Sequence, residues 1–309
     1  FHIVNRVNGG SNLDNQVKDL LEDIRSNYPK FSKGHKLIAN YIINNYDKAA
    51  FMTALKLAQA VGVSESTVVR FATKLGFEGY PELQKVLQDL VKSKLTSVQR
   101  IDISKTKLTE GNILKNVLHS DMENIKLTLE EINQEDFSNV VESILAANRI
   151  YILGVRSSAA LASFLGFYFN LIFSNVRLVH TTSVSEMFEQ IVRATQGDVV
   201  IGISFPRYSK RIIKAMQFAR STGATVIAIT DNNKSPIAEY AHYSLFARSD
   251  MASFVDSLVA PLSVINALIV AIGMKKQNEV YEIFNKLEKI WDEYQVYEKY
   301  ENLGKSPFD

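Results

Sequence analysis

Five short runs of aliphatic and β-branched residues constrain this chain's fold more than any other feature. They fall at 150–153, 177–180, 199–204, 225–230 and 243–246. Segments with helical periodicity lie between them, at 158–173, 185–194, 209–221 and 235–240. Strands this short and this apolar are buried on both faces, and intervening helices make the crossovers of a parallel sheet. The pattern predicts a flavodoxin-like, doubly wound α/β sandwich, whose ligands sit beyond the C-terminal strand ends. A long helix to residue 272 and a charged helix over 278–300 are expected to follow. The charged helix carries Tyr281, Phe284, Leu287, Ile290 and Trp291 on one side.

The first third has a different texture. The segment ALKLAQAVGVSESTVVRFATKLGF, residues 54–77, reads as two short helices joined by a tight turn. Leu55, Leu57, Ala58 and Val61 form the apolar stripe of the first. Gly62 follows, where a left-handed residue ends a helix and glycine adopts that conformation at least cost. Val63 plugs the turn, and Ser64 is suited to cap the next helix. In that helix Val68, Val69, Ala72 and Leu75 are expected to face inward, leaving Ser66, Thr67, Arg70, Thr73 and Lys74 outside. This is the layout of a helix-turn-helix, whose second helix enters the DNA major groove. Any helical hairpin with a Gly turn shares part of it; the cap and the row of exposed donors favour DNA. Arg70 is suited to pair bidentately with a guanine edge. Ser66 and Thr67 suit a base edge or a phosphate, and Lys74 suits a phosphate.

Around this motif, helices are expected at 17–24, at 33–45 with Ser32 as its cap, and at 82–92 with Pro81 in the first turn. Residues 13–92 are therefore read as an all-α DNA-binding domain, and 93–112, polar and aperiodic, as a linker. Alternation over 98–103 leaves room there for a short strand. Residues 113–309 form the α/β domain, opening on an amphipathic helix at 113–131. Charge gives this division modest support. The whole chain carries a net charge of +2, while residues 13–94 hold twelve Lys/Arg against nine Asp/Glu. Placement therefore matters more than the sum.

Composition removes several classes of function. There is no cysteine, so disulfides and thiol chemistry are excluded. No apolar run reads as a membrane span, and no metal-ligand cluster or nucleotide fingerprint appears, so neither metal nor cofactor is expected. The opening FHIVNRVNGGSNLDNQ has no initiator methionine and no signal-peptide pattern. It is expected to lie outside the fold, and the location to be cytoplasmic.

The strand ends carry the second functional signal. The first ends in Gly154-Val155-Arg156-Ser157-Ser158 and enters a helix directly. The third ends in Ser204-Phe205-Pro206-Arg207-Tyr208-Ser209 and does the same. Thr181 to Ser183 and Thr230 to Asn233 follow the second and fourth, and Ser253 and Ser257 precede the long helix. Singly, each Ser or Thr is an ordinary helix cap. Gathered on one rim with Arg207, they suit an oxyanion or polyol.

With these motifs the chain resembles the RpiR family of bacterial transcriptional regulators over roughly residues 15–275. VGVSESTVVRFATKLGFEGYPELQ is similar to that family's helix-turn-helix. ILGVRSSA, VVIGISFPRYSK and TVIAITDNNKSPIAEYA resemble its sugar isomerase (SIS) domain. The resemblance implies a phosphosugar effector, with Ser157 and Ser158 on a first phosphate loop and Ser204 and Ser209 on a second. Ser253 falls near a further contact. Many SIS domains place Ser-X-Ser-Gly in the second loop. This chain has the bulkier Phe205-Pro206-Arg207-Tyr208 there, with added charge.

The function expected is a regulator whose operator affinity shifts when a sugar phosphate binds. The resemblance implies a homodimer or higher homo-oligomer on double-stranded DNA, and two-fold symmetry predicts a palindromic operator. The helix over 160–173, apolar nearly all round, is expected to share in dimerisation. The alternative is a sugar-phosphate isomerase or lyase on the same scaffold, with Glu186, Glu189, His180 or His242 as acid or base. The residues assemble no such pair, and fusion to a DNA-binding domain favours sensing. A third reading, a helical protein-interaction domain on a sensor, predicts no salt-dependent DNA binding.

Overall fold

The computed structural model describes residues 13–92, 96, 98–101, 112–179, 181, 183–251 and 253–297. The first domain is helical. Helix α1 (Leu13–Asn27) leads through a 3-10 turn (Tyr28–Lys30) into α2 (Lys33–Ala49). Then come α3 (Ala54–Val61), α4 (Glu65–Lys74) and α5 (Tyr80–Lys92). The Ser32 hydroxyl accepts the His35 N–H and starts α2 as expected. That helix runs past 45 to Ala49, crossing a kink at Asn45 (φ −141°, ψ 39°). The carbonyls just past its end are met by α5. The buried Tyr80 hydroxyl donates to Met52 O at 2.8 Å and Gln88 Nε2 to Ala50 O at 2.9 Å. These bonds fix α5 across the hairpin. Helix α1 spans Leu13–Asn27, so the last residues of the segment expected to lie outside the fold are helical.

The linker holds a surprise. Residues 98–101 are helical rather than extended. The rest of the possible strand at 102–103 lies outside the described residues.

The second domain opens with α6 (Ile113–Glu131) and α7 (Gln134–Leu145). Then alternate β1 (Ile150–Gly154), α8 (Ser158–Ile172), β2 (Val176–Val179), α9 (Val184–Ile191), β3 (Val199–Ile203), α10 (Lys210–Ser221) and β4 (Thr225–Thr230). Strand β5 (Tyr243–Phe246), α11 (Val259–Lys275) and α12 (Gln277–Glu293) complete it. The helix expected over 235–240 shrinks to a 3-10 turn, Ala238–Tyr240. Only residues 231–242 separate β4 from β5, and most of them are spent on turns, so a single 3-10 turn is all that forms.

All strands are parallel, in the order β2-β1-β3-β4-β5. The side-chain period of two divides each strand between two cores. Ile150 and Ile152 join Val140, Ile144, Leu165, Phe169, Ile265 and Leu268 beneath α7, α8 and α11. Tyr151 and Leu153 join Met187, Ile191, Ile212 and Met216 beneath α9 and α10. Helix α8 is therefore spent largely on the first core, and of its large side chains Phe167 alone is strongly exposed. Apolar surface is left open on α6, at Leu114, Leu118, Met122 and Leu129, and on α11, at Val270 and Met274, as well as at Phe254 and Val255 and along α12.

Candidate functional site

Two sites can be built from the residues upward. In the first, Gly62 adopts φ 72°, ψ 40° and ends α3. The Val63 N–H returns to Ala58 O at 3.0 Å, closing the turn. The Ser64 hydroxyl accepts the Thr67 N–H at 3.3 Å and lies 2.9 Å from Ser66 Oγ and 2.8 Å from Thr67 Oγ1. Ser64 is thus occupied as a cap, and half-buried Thr67 is drawn toward α2. A Cβ on Gly34 would come within 3.2 Å of the Thr67 methyl. This close approach sets the first turn of α2, with exposed Lys33, beside the recognition helix.

Helix α4 buries Val68, Phe71 and Ala72. The expectation for Val69 is corrected: it is 39% exposed, and Phe71 takes the inward place. Positions 68, 71, 72 and 75 trace one helical face, and 69 lies about 100° around from 68. Leu55, expected in the stripe of α3, is likewise exposed. The outer face of α4 carries Ser66, Val69, Arg70, Thr73 and Lys74 together. Arg70 rests along its own helix, with Nε donating to Ser66 O at 3.2 Å and Nη2 to Ser66 Oγ at 3.4 Å. Behind it, His35 packs edge-on against Phe31 and Phe71. Burial, then the charges of Arg70 and Lys74, lower the pKa of His35, so that it is neutral at neutral pH.

The second site lies where the strand order reverses. Gly154 of β1 is in register with Ile203 of β3, so the loops following them run side by side. This is the crevice in which doubly wound sheets bind ligands. Gly154 is required by close approach, since a Cβ there would lie 2.5 Å from Ser158 O and 2.8 Å from the Ala162 Cβ. The chain then turns through Arg156 at φ 57°, a left-handed conformation that costs a non-glycine residue about 1–2 kcal/mol. Ser157 is exposed and Ser158 is buried in the first turn of α8.

Across the crevice, Ser204 is buried and its Oγ accepts the Ser209 N–H at 3.2 Å. Its carbonyl accepts Thr230 Oγ1 at 2.7 Å. Phe205 and Pro206 are buried and Arg207 is exposed. The Tyr208 hydroxyl donates to Asp231 Oδ1 at 2.9 Å, and the Thr230 hydroxyl bonds Ser235 Oγ at 2.7 Å. Burial, then the adjacent Asp231 charge, push the Tyr208 phenol well above its usual pKa, so it stays a neutral donor. The bulky residues in place of Ser-X-Ser-Gly are therefore tied to the end of β4 by hydrogen bonds.

The structure brings Ser157, Ser158, Ser204, Arg207 and Ser209 to neighbouring strand ends. Ser253 is placed differently, on the loop from β5 to α11, with β4 between that strand and β3. This loop is strapped to α6. Asn124, buried, donates to Asp250 O at 3.2 Å and accepts the Asp250 N–H at 3.3 Å. Ser257 donates to Asp121 Oδ1 at 2.6 Å. Arg100, buried in the linker's helical turn, pairs with Asp256 at 2.6 Å. Met251 of the same loop packs on the core of the helical domain. Sequence reasoning missed Arg156, the Tyr208–Asp231 pair and this strap. No local pattern announces any of them, because each depends on partners or dihedrals set by the tertiary fold.

The acid-base candidates are scattered. Glu186 accepts the Thr181 hydroxyl at the start of α9, and Glu189 is exposed. His242 Nδ1 accepts the Val226 N–H at 2.9 Å, at the opposite end of the sheet from the crevice. His180 lies outside the described residues. Among the described residues no three His, Cys, Asp or Glu side chains group to hold a metal. No single described helix is long and apolar enough to cross a membrane.

The geometry thus joins a DNA-binding helical domain to a ligand-binding sandwich, the make-up of a ligand-responsive regulator. Comparison with known proteins gives its family. Residues 18–94 match the helix-turn-helix domain of the rpiR family, and residues 143–271 match the SIS domain. The chain belongs to the RpiR family of bacterial transcriptional regulators. An uncharacterized HTH-type transcriptional regulator from Caldanaerobacter subterraneus subsp. tengcongensis is 28% identical over 283 residues, 89% of this chain and 97% of that one. Vibrio vulnificus NanR, solved in complex with ManNAc-6P, has the same fold. Its TM-score is 0.55 at 23% identity, over 88% of this chain and 98% of that one. The sugar isomerase domain of an RpiR transcription factor from Sphaerobacter thermophilus also has a TM-score of 0.55. It is 24% identical and covers 58% of this chain and 99% of that one.

Proposed function

We propose that this protein regulates genes of carbohydrate metabolism by binding a sugar phosphate in the β1/β3 crevice, which shifts its affinity for operator DNA. The observation that carries the reading is the union, in one chain, of an rpiR-family helix-turn-helix with a SIS domain. The sugar phosphate would be held by Ser157, Ser158, Ser204, Arg207 and Ser209, with Ser253 reaching in from the strap. Ser66, Arg70 and Lys74 would meet the major groove, while Ser64 and Thr67 hold the start of the helix that carries them. The fold of V. vulnificus NanR, which in that protein accommodates ManNAc-6P, is consistent with this use of the crevice. In our reading the protein acts in the cytoplasm as a homodimer on a palindromic operator and catalyses no turnover. The open apolar stripes of α6 and α11 support self-association.

A panel of sugar phosphates, each beside its unphosphorylated parent, tests the reading by thermal shift. One phosphorylated sugar should raise the melting temperature where its parent does not. The same compound should change DNA affinity in fluorescence anisotropy and be recovered unaltered by NMR. Equal shifts from phosphate and parent, or conversion of the compound, would overturn it.

A further inference from the structure

Arg156 stands at the mouth of the crevice in a conformation that glycine would adopt freely. Its side chain is exposed, and it makes no hydrogen bond or ion pair with the described residues. The fold gains nothing from a long charged side chain there and bears the strain of its backbone. Two residues earlier, Gly154 is paired in register with Ile203. The loop bearing Arg207 therefore begins directly across from the loop bearing Arg156, so both arginines lie on loops that border one crevice. The loops after β1, β3 and β4, with the first residue of α10, carry Arg156, Arg207, Lys210 and Lys234. Their acid is Asp231, which is buried and accepts the Tyr208 hydroxyl. This is a surplus of about three positive charges, whereas one phosphate group brings about −1.5 to −2. The hydroxyls and the amides at the starts of α8 and α10 are the kind of groups that cradle a single phosphate. A forked guanidinium beyond them matches a second planar or tetrahedral anion.

We propose that Arg156 is a specificity-determining residue of this site, and that the effector carries a second anionic group beside its phosphate. The inference rests on the sugar-phosphate reading above and narrows it to phosphorylated sugar acids or sugar bisphosphates. Neutral sugar monophosphates bind more weakly.

Titration calorimetry on the full chain tests it. The probes are a series of hexose monophosphates, the corresponding phosphorylated sugar acids, and hexose bisphosphates. Each is run on the native protein and on Arg156→Gly and Arg156→Lys. The tightest ligand should carry two anionic groups. Whether it is the sugar acid or the bisphosphate identifies the source of the second charge. Arg156→Gly should weaken that ligand at least tenfold and leave the monophosphates within about twofold. It should also raise the melting temperature of the unliganded protein, because the left-handed residue is now glycine. A merely structural role for Arg156 would not move binding and stability in opposite directions. Arg156→Lys keeps the charge without the fork and should fall between the two. Tightest binding of a monophosphate, or unchanged affinity for the doubly charged ligand in Arg156→Gly, would overturn the proposal while leaving the sugar-phosphate reading intact. If no phosphorylated sugar binds at all, both are overturned.

Discussion

Arg70 shows how far single residues can be read. Its outward position followed from helical spacing alone, and the structure adds that the guanidinium lies against Ser66. Binding DNA must exchange those weak bonds for base or phosphate contacts. Arg70→Ala should cost about 1–3 kcal/mol of operator affinity and relax base preference at one position per half-site. Anisotropy against single-base operator variants would show this, and intact preference would mean that α4 is not the reading helix. Val69 illustrates the opposite case. Valine is read as core by default, and only the competition with Phe71 for one inward place puts it outside. His242 gives a pH signature. The inner edge of this largely exposed ring accepts the Val226 N–H, which only neutral imidazole can do. Burial and the nearby Arg220 lower its pKa from 6.5, so the unfolded chain takes up a proton before the native one does. Its stabilising contribution is therefore fully present above about pH 6.5 and is lost as pH falls through the lowered native value. His242→Gln should flatten the dependence of melting temperature on pH over that window.

At the scale of elements, the sheet was legible because its strands are short, apolar and evenly spaced. The turn of the helix-turn-helix was legible because Gly62 and Ser64 each carry a local geometric meaning. Helix α7 was not. It is capped by Asn133, whose side chain accepts the N–H groups of Glu135 and Asp136, and its Val140, Val141 and Ile144 give only a brief periodic signal. The segment at 235–240 misled in the other direction, since a capping serine before apolar residues looks like a helix even where the connection to β5 is short and yields only a 3-10 turn. Packing between elements sets the next prediction. Gly154→Ala would drive a methyl into Ser158 O and the Ala162 Cβ. It should cost about 1–3 kcal/mol in thermal unfolding, as overpacking does, and push α8 away from β1 beside the crevice. Sugar-phosphate affinity should fall with it. An unchanged melting temperature would show that α8 can shift freely.

For the whole molecule, the β5–α11 loop is the feature that sequence could not show. It carries the candidate ligand contact Ser253 and places Met251 on the helical core two residues away. Asn124 and the Arg100–Asp256 pair hold it on both sides. A ligand that moves this loop has a continuous set of packed groups through which to bias the helical domain, which is what coupling between the sites requires. Arg100→Ala should leave sugar-phosphate affinity nearly unchanged and shrink the effector's influence on operator affinity. Measured coupling equal to that of the native protein would show that the strap is passive.

The parallel sheet also has a consequence in time. Among the described residues the helical core draws its side chains from 20–91, with Met251 added from beyond. Strand β1 cannot be flanked on both sides until β3, beginning at Val199, has been made, and Asp256 arrives later still to seat Arg100. At about 5–20 residues per second, the ribosome takes on the order of ten to thirty seconds to travel from the end of α5 to that point. Local helical contacts form in milliseconds or less. Each newborn copy thus passes through an interval with a finished DNA-reading half and no sensor to govern it.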